Sequence, residues 1–297
     1  MDTIILISIH CFILGAIIGS FLSVCAYRLP MCRYEPIHEG VKELSEPVSI
    51  LKPARSFCPH CQKQLLWWHN IPVISWFLLR GRCGFCSEKI PFRYVFIELA
   101  TGALCTLCYM RFGLNPTGVC AFLLCCTLVV ITYIDLDYMI IPDVITYPGT
   151  VIGLALAVAN QAFSSPGAPL LAEPFVDSLT GALLGLLFGP GLLLSIYYFY
   201  LYVRKREGIG LGDVKLLAVI GACLGIDGSI ATIFLGSIIG AIVGIGLILI
   251  GKGRFSNYIP FGPYLAAATL LYLFDAQVII FWLREIPFEN SWWIAHQ

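Results

Sequence analysis

Two pairs of cysteines have the spacing of metal ligands. Cys58 and Cys61 form one Cys-x-x-Cys pair, Cys83 and Cys86 form a second, and 21 residues separate them. Four thiolates in this pattern can surround a zinc ion tetrahedrally, and a site closed in this way leaves no position for a substrate. The pattern therefore predicts a structural zinc site, with four reduced, metal-free cysteines as the alternative. The other nine of the 13 cysteines are scattered, mostly in apolar runs, where a free thiol behaves as a small hydrophobe.

Two aspartates beside apolar runs could perform acid–base chemistry. Asp135 ends one apolar run, and Asp213 follows Gly210 and Gly212 and begins another. Two carboxyl groups held close in a partly desolvated site share one proton, and the pair can activate water for attack on a peptide carbonyl. Glycines beside the pair let backbone approach closely. The alternative is an ordinary helix-capping carboxylate, because a single Gly-x-Gly-Asp motif is a weak signal in membrane helices.

Three further acidic residues have competing interpretations. Asp143 stands at the start of an apolar run and is interpreted as a helix N-cap. Asp137, two residues after Asp135, is interpreted as a solvated carboxylate at the membrane interface. Glu98 lies four residues into an apolar run, where an unpaired carboxylate is costly, so it either pairs with Arg93 or contributes to the aspartate site.

The elements that must position these residues are membrane helices. Of the 297 residues, 59% are hydrophobic and only 12% are charged, with a mean hydropathy of +0.86. A soluble domain carries about twice that charge, so the composition excludes a soluble globular protein, a disordered chain and a nucleic-acid-binding chain. The 18 basic residues balance the 18 acidic ones. The predicted fold class is an all-α polytopic membrane protein with about eight transmembrane helices.

Eight apolar runs are the candidate transmembrane helices. Asp2 precedes the first run and basic residues begin after it at Arg28, which is the opposite charge order to a cleaved signal peptide, so this helix is predicted to be retained. The sixth run would extend roughly 20 Å in a hydrocarbon core of about 30 Å, so it lies in a thinned region or has a recessed start at Asp213. The runs cover residues 4–27, 94–112, 119–134, 144–162, 177–202, 214–226, 229–250 and 261–283.

The charged residues orient these helices. The predicted organisation is a first transmembrane helix (1–27), a loop domain that contains the cysteines (28–93) and a seven-helix membrane domain (94–297). The loop domain holds ten of the 18 basic residues, and with both termini outside, sixteen basic residues fall on its side of the membrane. The positive-inside rule then places the loop domain and both aspartates at the cytoplasmic face and both termini in the periplasm. Residues 163–176, on the outer side, are interpreted as a plain linker.

Six motifs, in order and over nearly the whole chain, resemble those of the type IV prepilin peptidases, the GxGD aspartic protease family. The motifs are residues 19–30, the paired cysteines that enclose residues 70–76 and 79–83, and residues 93–99, 135–143, 208–215 and 259–264. The resemblance implies that Asp135 and Asp213 are the catalytic pair. By the same resemblance, the supporting residues are Gly210, Gly212, Lys215 and Glu98.

The resemblance also implies a reaction and its partners. Members of the family remove the short basic leader of type IV prepilins and pseudopilins, just after a glycine, at the cytoplasmic face of the bacterial inner membrane. Many also methylate the new N-terminal amine, usually of phenylalanine, with S-adenosylmethionine as methyl donor. The expected partners are these substrates, membrane lipid and the pilus or type II secretion machinery, with no nucleic acid.

Two positions depart from the family pattern, and two other classes of protein compete with the peptidase. Ser23 stands where the family usually has asparagine, and His69 stands where an acidic residue is common; both lie in the region linked to methyl transfer. The chain has no strand–GxGxxG–helix unit for a methyl donor, so no donor-binding residues are predicted. The competing classes are an ion-coupled transporter with carboxylate relays and a non-catalytic scaffold for pilus assembly.

Overall fold

The computed structural model describes residues 2–33, 55–165, 169–205, 210–250 and 260–285. Within these ranges the chain forms helices and no β-strand, which confirms the predicted all-α class. Gly208 and the basic residues Arg206, Lys252 and Arg254 lie outside the described residues. The helices are α1 (Asp2–Arg33), α2 (Ile74–Leu78), α3 (Arg93–Phe112), α4 (Pro116–Tyr138), α5 (Asp143–Phe163), α6 (Leu179–Arg204), α7 (Leu211–Leu249) and α8 (Gly262–Glu285), with a 3-10 turn at Trp67–Asn70.

Six of these helices, α1 and α3 to α7, are long and apolar enough to cross a membrane, which confirms a multi-pass membrane protein. The longest, α7, has 39 residues and would extend roughly 58 Å, nearly twice the thickness of a hydrocarbon core. It is interrupted at Gly225, whose φ of +70° is non-helical. The predicted sixth and seventh spans are therefore the two parts of α7, divided at Gly225 rather than after residue 226. The total of eight spans stays a prediction.

The chain divides by packing into two compact units, Met1–Pro142 and Asp143–Gln297. In the first unit α1 runs along α3, and small residues allow a short distance between the two backbones. A Cβ added at Gly15 would lie 2.6 Å from the Cβ of Cys105, and one added at Gly102 would lie 2.9 Å from the carbonyl oxygen of Phe12. Close backbone approach at small residues is typical of membrane helix pairs.

In the second unit α7 is the central helix and contacts α5, α6 and α8. Gly185 of α6 and Gly221 of α7 lie so close that a Cβ on either would overlap the carbonyl oxygen of the other. On the α8 side, the buried hydroxyls of Thr232 and Thr269 are 3.2 Å apart and hydrogen-bond. Most of the buried residues of α7 lie in its first half, where its neighbours contact it. Asp213, in the first turn of α7, is therefore held by a well-packed part of the helix.

The connection between α5 and α6 is more than a plain linker. Asn160 is fully buried near the end of α5, and its amide donates to the carbonyl oxygens of Leu171 and Val176 at 3.0 and 2.9 Å. The N–H of Val176 donates in turn to the carbonyl oxygen of Cys223 over 3.1 Å. A Cβ added at Gly225 would lie 2.7 Å from the Val176 side chain, so the connection covers the break in α7. The linker interpretation is therefore wrong for the second half of this segment.

Candidate active site and cysteine centre

The four paired cysteines converge on one point. The Sγ atoms of Cys58, Cys61, Cys83 and Cys86 all lie within 4.8 Å of one another, and those of Cys58 and Cys86 are 3.8 Å apart. Tetrahedral zinc with Zn–S bonds of about 2.3 Å requires sulfur–sulfur separations of roughly 3.8 Å. The cluster can therefore hold a metal ion, and its all-thiolate donor set and spacing fit zinc.

The two cysteine pairs form copies of the same backbone knuckle, 25 residues apart in the chain. In each, the N–H of the first cysteine donates to the carbonyl oxygen five residues later, at 3.1 Å for Cys58 and 2.8 Å for Cys83. The N–H four residues after that cysteine donates back to its carbonyl, at 2.8 and 2.9 Å. The residue after each pair, Gln62 or Ser87, has a positive φ of 56° or 58°. The sequence shows the repeated Cys-x-x-Cys spacing but not the shared left-handed turn, because neither left-handed position is glycine.

Burial and backbone hydrogen bonds set different pKa values for the two leading thiols. Burial raises the pKa of Cys58 to about 12. Burial also acts to raise the pKa of Cys83, but hydrogen bonds from the backbone N–H groups of Cys86 and Phe85, together with those from the thiols of Cys86 and Cys58, outweigh it and lower that pKa to about 7. The surroundings of Cys83 thus favour the thiolate, which is the form that ligates metal.

His69, one of the two departures from the family pattern, packs inside the cysteine module, which we define as residues 55–92. Its ring is 8% exposed and lies edge-on to Trp68 at 4.1 Å and to Phe85 at 5.5 Å between centroids. A Cβ added at Gly84 would lie 3.0 Å from the ring. His69 therefore links the 3-10 turn to the second knuckle. His60, inside the first knuckle, is exposed.

Asp135 is a buried carboxylate near the end of α4 and is 5% exposed. Its carbonyl oxygen accepts a 2.9 Å hydrogen bond from the N–H of Met139, whose left-handed conformation, with φ +54°, ends the helix. The helix therefore continues to Tyr138, four residues beyond the predicted end at residue 134. Asp135 lies within the final turn rather than after it.

The neighbouring Asp137 shows which end of the first unit this is. Its Oδ2 lies 2.7 Å from Nη1 of Arg93, the first residue of α3. The cysteine module leads directly into Arg93, so the module, the start of α3 and the end of α4 share one end of this unit. Asp135 lies at that end. The prediction of a solvated Asp137 holds in part, because its side chain is 35% exposed but ion-paired.

Asp213 stands in the first turn of α7, where the helix dipole favours a carboxylate, and is 7% exposed. Its N–H donates to the carbonyl oxygen of Gly210, the N-cap residue, over 3.2 Å. A Cβ added at Gly210 would lie 3.3 Å from Oδ2 of Asp213. The absence of a side chain at position 210 therefore keeps a Cβ out of contact with this carboxylate. Gly212 lies within the same helical turn.

Lys215 binds an aspartate that the sequence assigned to helix capping. Its Nζ is 2.6 Å from Oδ1 of Asp143, the first residue of α5, and lies over the ring of Tyr147 at 5.6 Å. The ion pair joins the starts of α5 and α7 at the same end of the second unit as Asp213. The pairing could not be foreseen, because 72 residues separate the partners.

Of the two alternatives for Glu98, pairing with Arg93 is not found among the described residues, because Arg93 binds Asp137 instead. Oε2 of Glu98 accepts a 2.7 Å hydrogen bond from the main-chain N–H of Val73, and the carboxylate also accepts one from the Ser20 hydroxyl. A Cβ added at Gly19 would lie 2.9 Å from the Cα of Glu98. One buried carboxylate therefore joins α1, α3 and the cysteine module. The position of Glu98 in an apolar run marked it as a carboxylate that needs a partner. The sequence does not show which backbone N–H group that partner is.

Known families match both units of the chain. The Bacterial Peptidase A24 N-terminal domain matches residues 13–112, and the Type IV leader peptidase family matches residues 122–245. The first match contains the cysteine centre and Glu98, and the second contains both aspartates. These matches define the class: a membrane-embedded peptidase.

Curated relatives named prepilin leader peptidase/N-methyltransferase resemble the chain over most of its length. The one from Aeromonas hydrophila is 38% identical over 91% of this chain and 91% of its own. Those from Stutzerimonas stutzeri and Xanthomonas campestris are 36% identical over 86% of each chain and 35% identical over 92% and 90%. No solved structure matches. The chain belongs to the type IV leader peptidase family and is an enzyme.

Proposed function

We propose that this protein is an aspartic endopeptidase that removes the basic leader of type IV prepilins and pseudopilins, after a glycine, at the cytoplasmic face of the bacterial inner membrane. One observation carries the proposal: both aspartates of the family's motifs are buried carboxylates at the ends of apolar helices. Burying an ionisable side chain in an apolar helix is costly, so such a residue is by default a candidate functional group. The relatives' names supply the substrate class.

In the proposed reaction Asp135 and Asp213 act as one acid–base pair. One carboxylate takes a proton from water as the oxygen attacks the scissile carbonyl, while the protonated partner donates a hydrogen bond to that carbonyl oxygen. The tetrahedral intermediate collapses as the C–N bond breaks, and a proton from the pair goes to the leaving amine. The pair titrates as a unit, so the two roles belong to the pair rather than to a named residue. Gly210 leaves room for extended substrate backbone beside Asp213.

The orientation of the site follows from charge. Residues 28–93 hold ten basic residues, which the positive-inside rule assigns to the cytoplasm. In the first unit the cysteine module lies at the same end as Asp135, as the Arg93–Asp137 ion pair requires. A prepilin whose basic leader stays in the cytoplasm and whose apolar segment enters the bilayer presents its cleavage site at that level.

The second proposed activity is N-methylation of the newly exposed N-terminal residue, which the relatives' names include. S-Adenosylmethionine would supply the methyl group. The two residues that the resemblance links to methyl transfer, Ser23 and His69, are both buried. The contribution of this chain would be to hold the amine and the donor between the cysteine module and the ends of α1 and α3.

The metal in the cysteine centre is proposed to be zinc in a structural role. Four protein thiolates fill a tetrahedral ion's coordination, so the ion would stabilise the module rather than act on substrate. The module has little regular secondary structure to stabilise it without a metal, because its helical elements are one 3-10 turn and the five-residue α2.

The test is a cleavage assay with isosteric variants. Detergent-solubilised protein, Asp135→Asn and Asp213→Asn would each be mixed with a prepilin, and the product N-terminus read by mass spectrometry with and without S-adenosylmethionine. We expect leader removal by the parent and none by either variant, and a methyl mass on the product only when the donor is present.

Matched controls are available within the same helices. Asp137→Asn removes an aspartate two residues from Asp135, and Asp227→Asn removes one from the middle of α7. Both should cleave. Cleavage by both catalytic variants would overturn the aspartate pair. A folded parent that cleaves no proven substrate would instead favour the scaffold or transporter class.

A further inference from the structure

The short helix α2 presents an apolar face outward. Ile74, Phe77 and Leu78 are spaced i, i+3, i+4 and are 56%, 61% and 66% exposed. The other side of the helix is satisfied within the module: Trp76 packs edge-on against Phe92, and its Nε1 donates to the carbonyl oxygen of Ile90 over 3.0 Å. The helix is therefore held in place by its inner side, and its apolar outer face is exposed although the helix is packed. Three large apolar side chains in one turn need a partner.

The depth of α2 follows from its contact with a membrane helix. Val73, the residue before α2, donates its N–H to Glu98 over 2.7 Å. Glu98 lies five residues after Arg93, where α3 and its candidate span begin, which is about 7.5 Å along the helix. Phe96, between these two residues of α3, is 58% exposed on the outside of the same helix. The start of α2 is thus level with the apolar part of α3, below its first turn.

The charge around this face is predominantly basic. Within residues 55–93, six basic residues stand against one acidic residue, Glu88. Every one of the seven is exposed. Arg80 and Arg82 follow α2 directly, and Lys89 pairs with this stretch through the bridge between Arg82 and Lys89. A basic rim beside an apolar turn matches an anionic lipid surface, with headgroups at the rim and acyl chains at the apolar face.

We propose that α2 is an interfacial membrane anchor: Ile74, Phe77 and Leu78 dip into the headgroup–acyl boundary, and Arg80, Arg82 and Lys89 bind anionic headgroups. The cysteine module would then lie against the bilayer surface, rather than extend away from it into the solvent. The proposal needs only that the chain spans a membrane, and it is independent of the proposed peptidase and methyl-transfer activities. The occupant of the apolar face is lipid, not a protein partner.

Site-specific photocrosslinking tests this in the full-length protein. Benzoylphenylalanine would replace Phe77, and the protein would be placed in vesicles of phosphatidylethanolamine and phosphatidylglycerol and irradiated. The matched control carries the same probe at Gln64, an exposed residue beside the first knuckle. We expect lipid adducts on the peptide that contains position 77 and none above background at position 64. We also expect phosphatidylglycerol adducts in excess of its share of the lipid, and loss of that excess in Arg80→Gln/Arg82→Gln.

The contrary outcomes are distinct. Crosslinks from position 77 to a second copy or to another segment of this chain would overturn the proposal, because protein would then cover the face. The absence of any adduct at position 77, in protein that keeps the parent's melting temperature, would place α2 in water and overturn the proposal as well. If the two lipids form adducts in proportion to their amounts in the vesicles, the proposed binding of anionic headgroups by Arg80, Arg82 and Lys89 would be refuted. If the probe at position 77 unfolds the protein, position 78 presents the same face and gives the same test.

Discussion

The main-chain N–H of Val73 donates a 2.7 Å hydrogen bond to Oε2 of Glu98, and it does so from a strained turn. Val73 has φ +62° and ψ −53°, and the N–H of Ile74 donates to the carbonyl oxygen of Pro72 over 2.5 Å, which closes a γ-turn. A positive φ is unfavourable for a β-branched residue, and this kind of turn is strained by about 1–3 kcal/mol. Glu98 is the side chain that offsets the strain by binding the N–H that the turn exposes.

The first prediction asks whether Glu98 acts through its hydrogen-bond acceptor or through its negative charge. Glu98→Ala removes the acceptor for both Val73 and Ser20, whereas Glu98→Gln keeps one amide oxygen that can still accept from Val73. We expect Ala to lower the melting temperature in detergent and to reduce methyl transfer more than leader cleavage, because the module loses its attachment to α3. Gln should recover most of both. The loss on substitution by Ala is about 1–3 kcal/mol for an unsatisfied donor.

Glu88→Ala is the control for this comparison, since Glu88 is an exposed glutamate of the same module. It should leave the melting temperature and both activities unchanged. Equal losses in Glu98→Ala and Glu98→Gln would show that the charge matters rather than the hydrogen bond, and would refute the positioning role.

Glu98 also shows what sequence patterns can and cannot predict. Its place in an apolar run marked it as a carboxylate that needs a partner, but the partner is a backbone N–H 25 residues away, and backbone donors are present at nearly every position. Charge proximity in the sequence suggested Arg93, and the fold pairs Arg93 with Asp137 instead. Long-range pairing is decided by helix packing, which residue spacing does not encode.

Features with a local periodicity or a fixed ligand spacing were predictable. The apolar runs located the long helices, and the four cysteines of two Cys-x-x-Cys pairs meet as their spacing indicates. The interruption of α7 was harder to place, because Gly225 is one of many glycines in an apolar stretch. Val176, from the connection between α5 and α6, lies against this break. The meeting of Asp135 and Asp213 remains a prediction.

The second prediction concerns the space beside Asp213. Gly210 has a φ of −73°, which any residue can adopt, so Gly210→Ala tests only the added Cβ. That atom would lie 3.3 Å from Oδ2 of Asp213, close enough to shift the carboxylate and to narrow the approach of substrate backbone. We expect leader cleavage to fall about tenfold, equivalent to ~1.4 kcal/mol of transition-state stabilisation, with little change in melting temperature.

Gly246→Ala is the matched control, since it adds a Cβ to the same helix where nothing lies within 4 Å. It should cleave as the parent does. Full activity in Gly210→Ala would show that the glycine is not required for substrate approach. A matching fall in melting temperature would assign its effect to packing instead.

The third prediction concerns the metal. Cys58→Ser or Cys83→Ser removes one of four converging thiolates, so bound zinc, measured by elemental analysis of purified protein, should fall from one equivalent to near zero. The melting temperature should fall with it, because binding a structural metal contributes folding free energy. Cys120→Ser is the control: it alters a half-buried cysteine of α4 outside the cluster and should keep the metal. Full zinc content in both cluster variants would refute the four-cysteine site.

The fourth prediction concerns the contact between α6 and α7. Gly185 and Gly221 each occupy the space where the other's Cβ would lie, so Gly185→Ala or Gly221→Ala must push the helices apart. Overpacking of this kind costs about 1–3 kcal/mol, and we expect either variant to lower the melting temperature in detergent. Gly191→Ala, in the same helix as Gly185 but with nothing within 4 Å of the added atom, should leave it unchanged or slightly raised, because alanine favours helix over glycine. Since α7 carries Asp213 on its first turn, the two destabilising variants should also lose cleavage at temperatures well below their melting point. Parent-like stability in both would mean that α6 and α7 are not held together through these glycines.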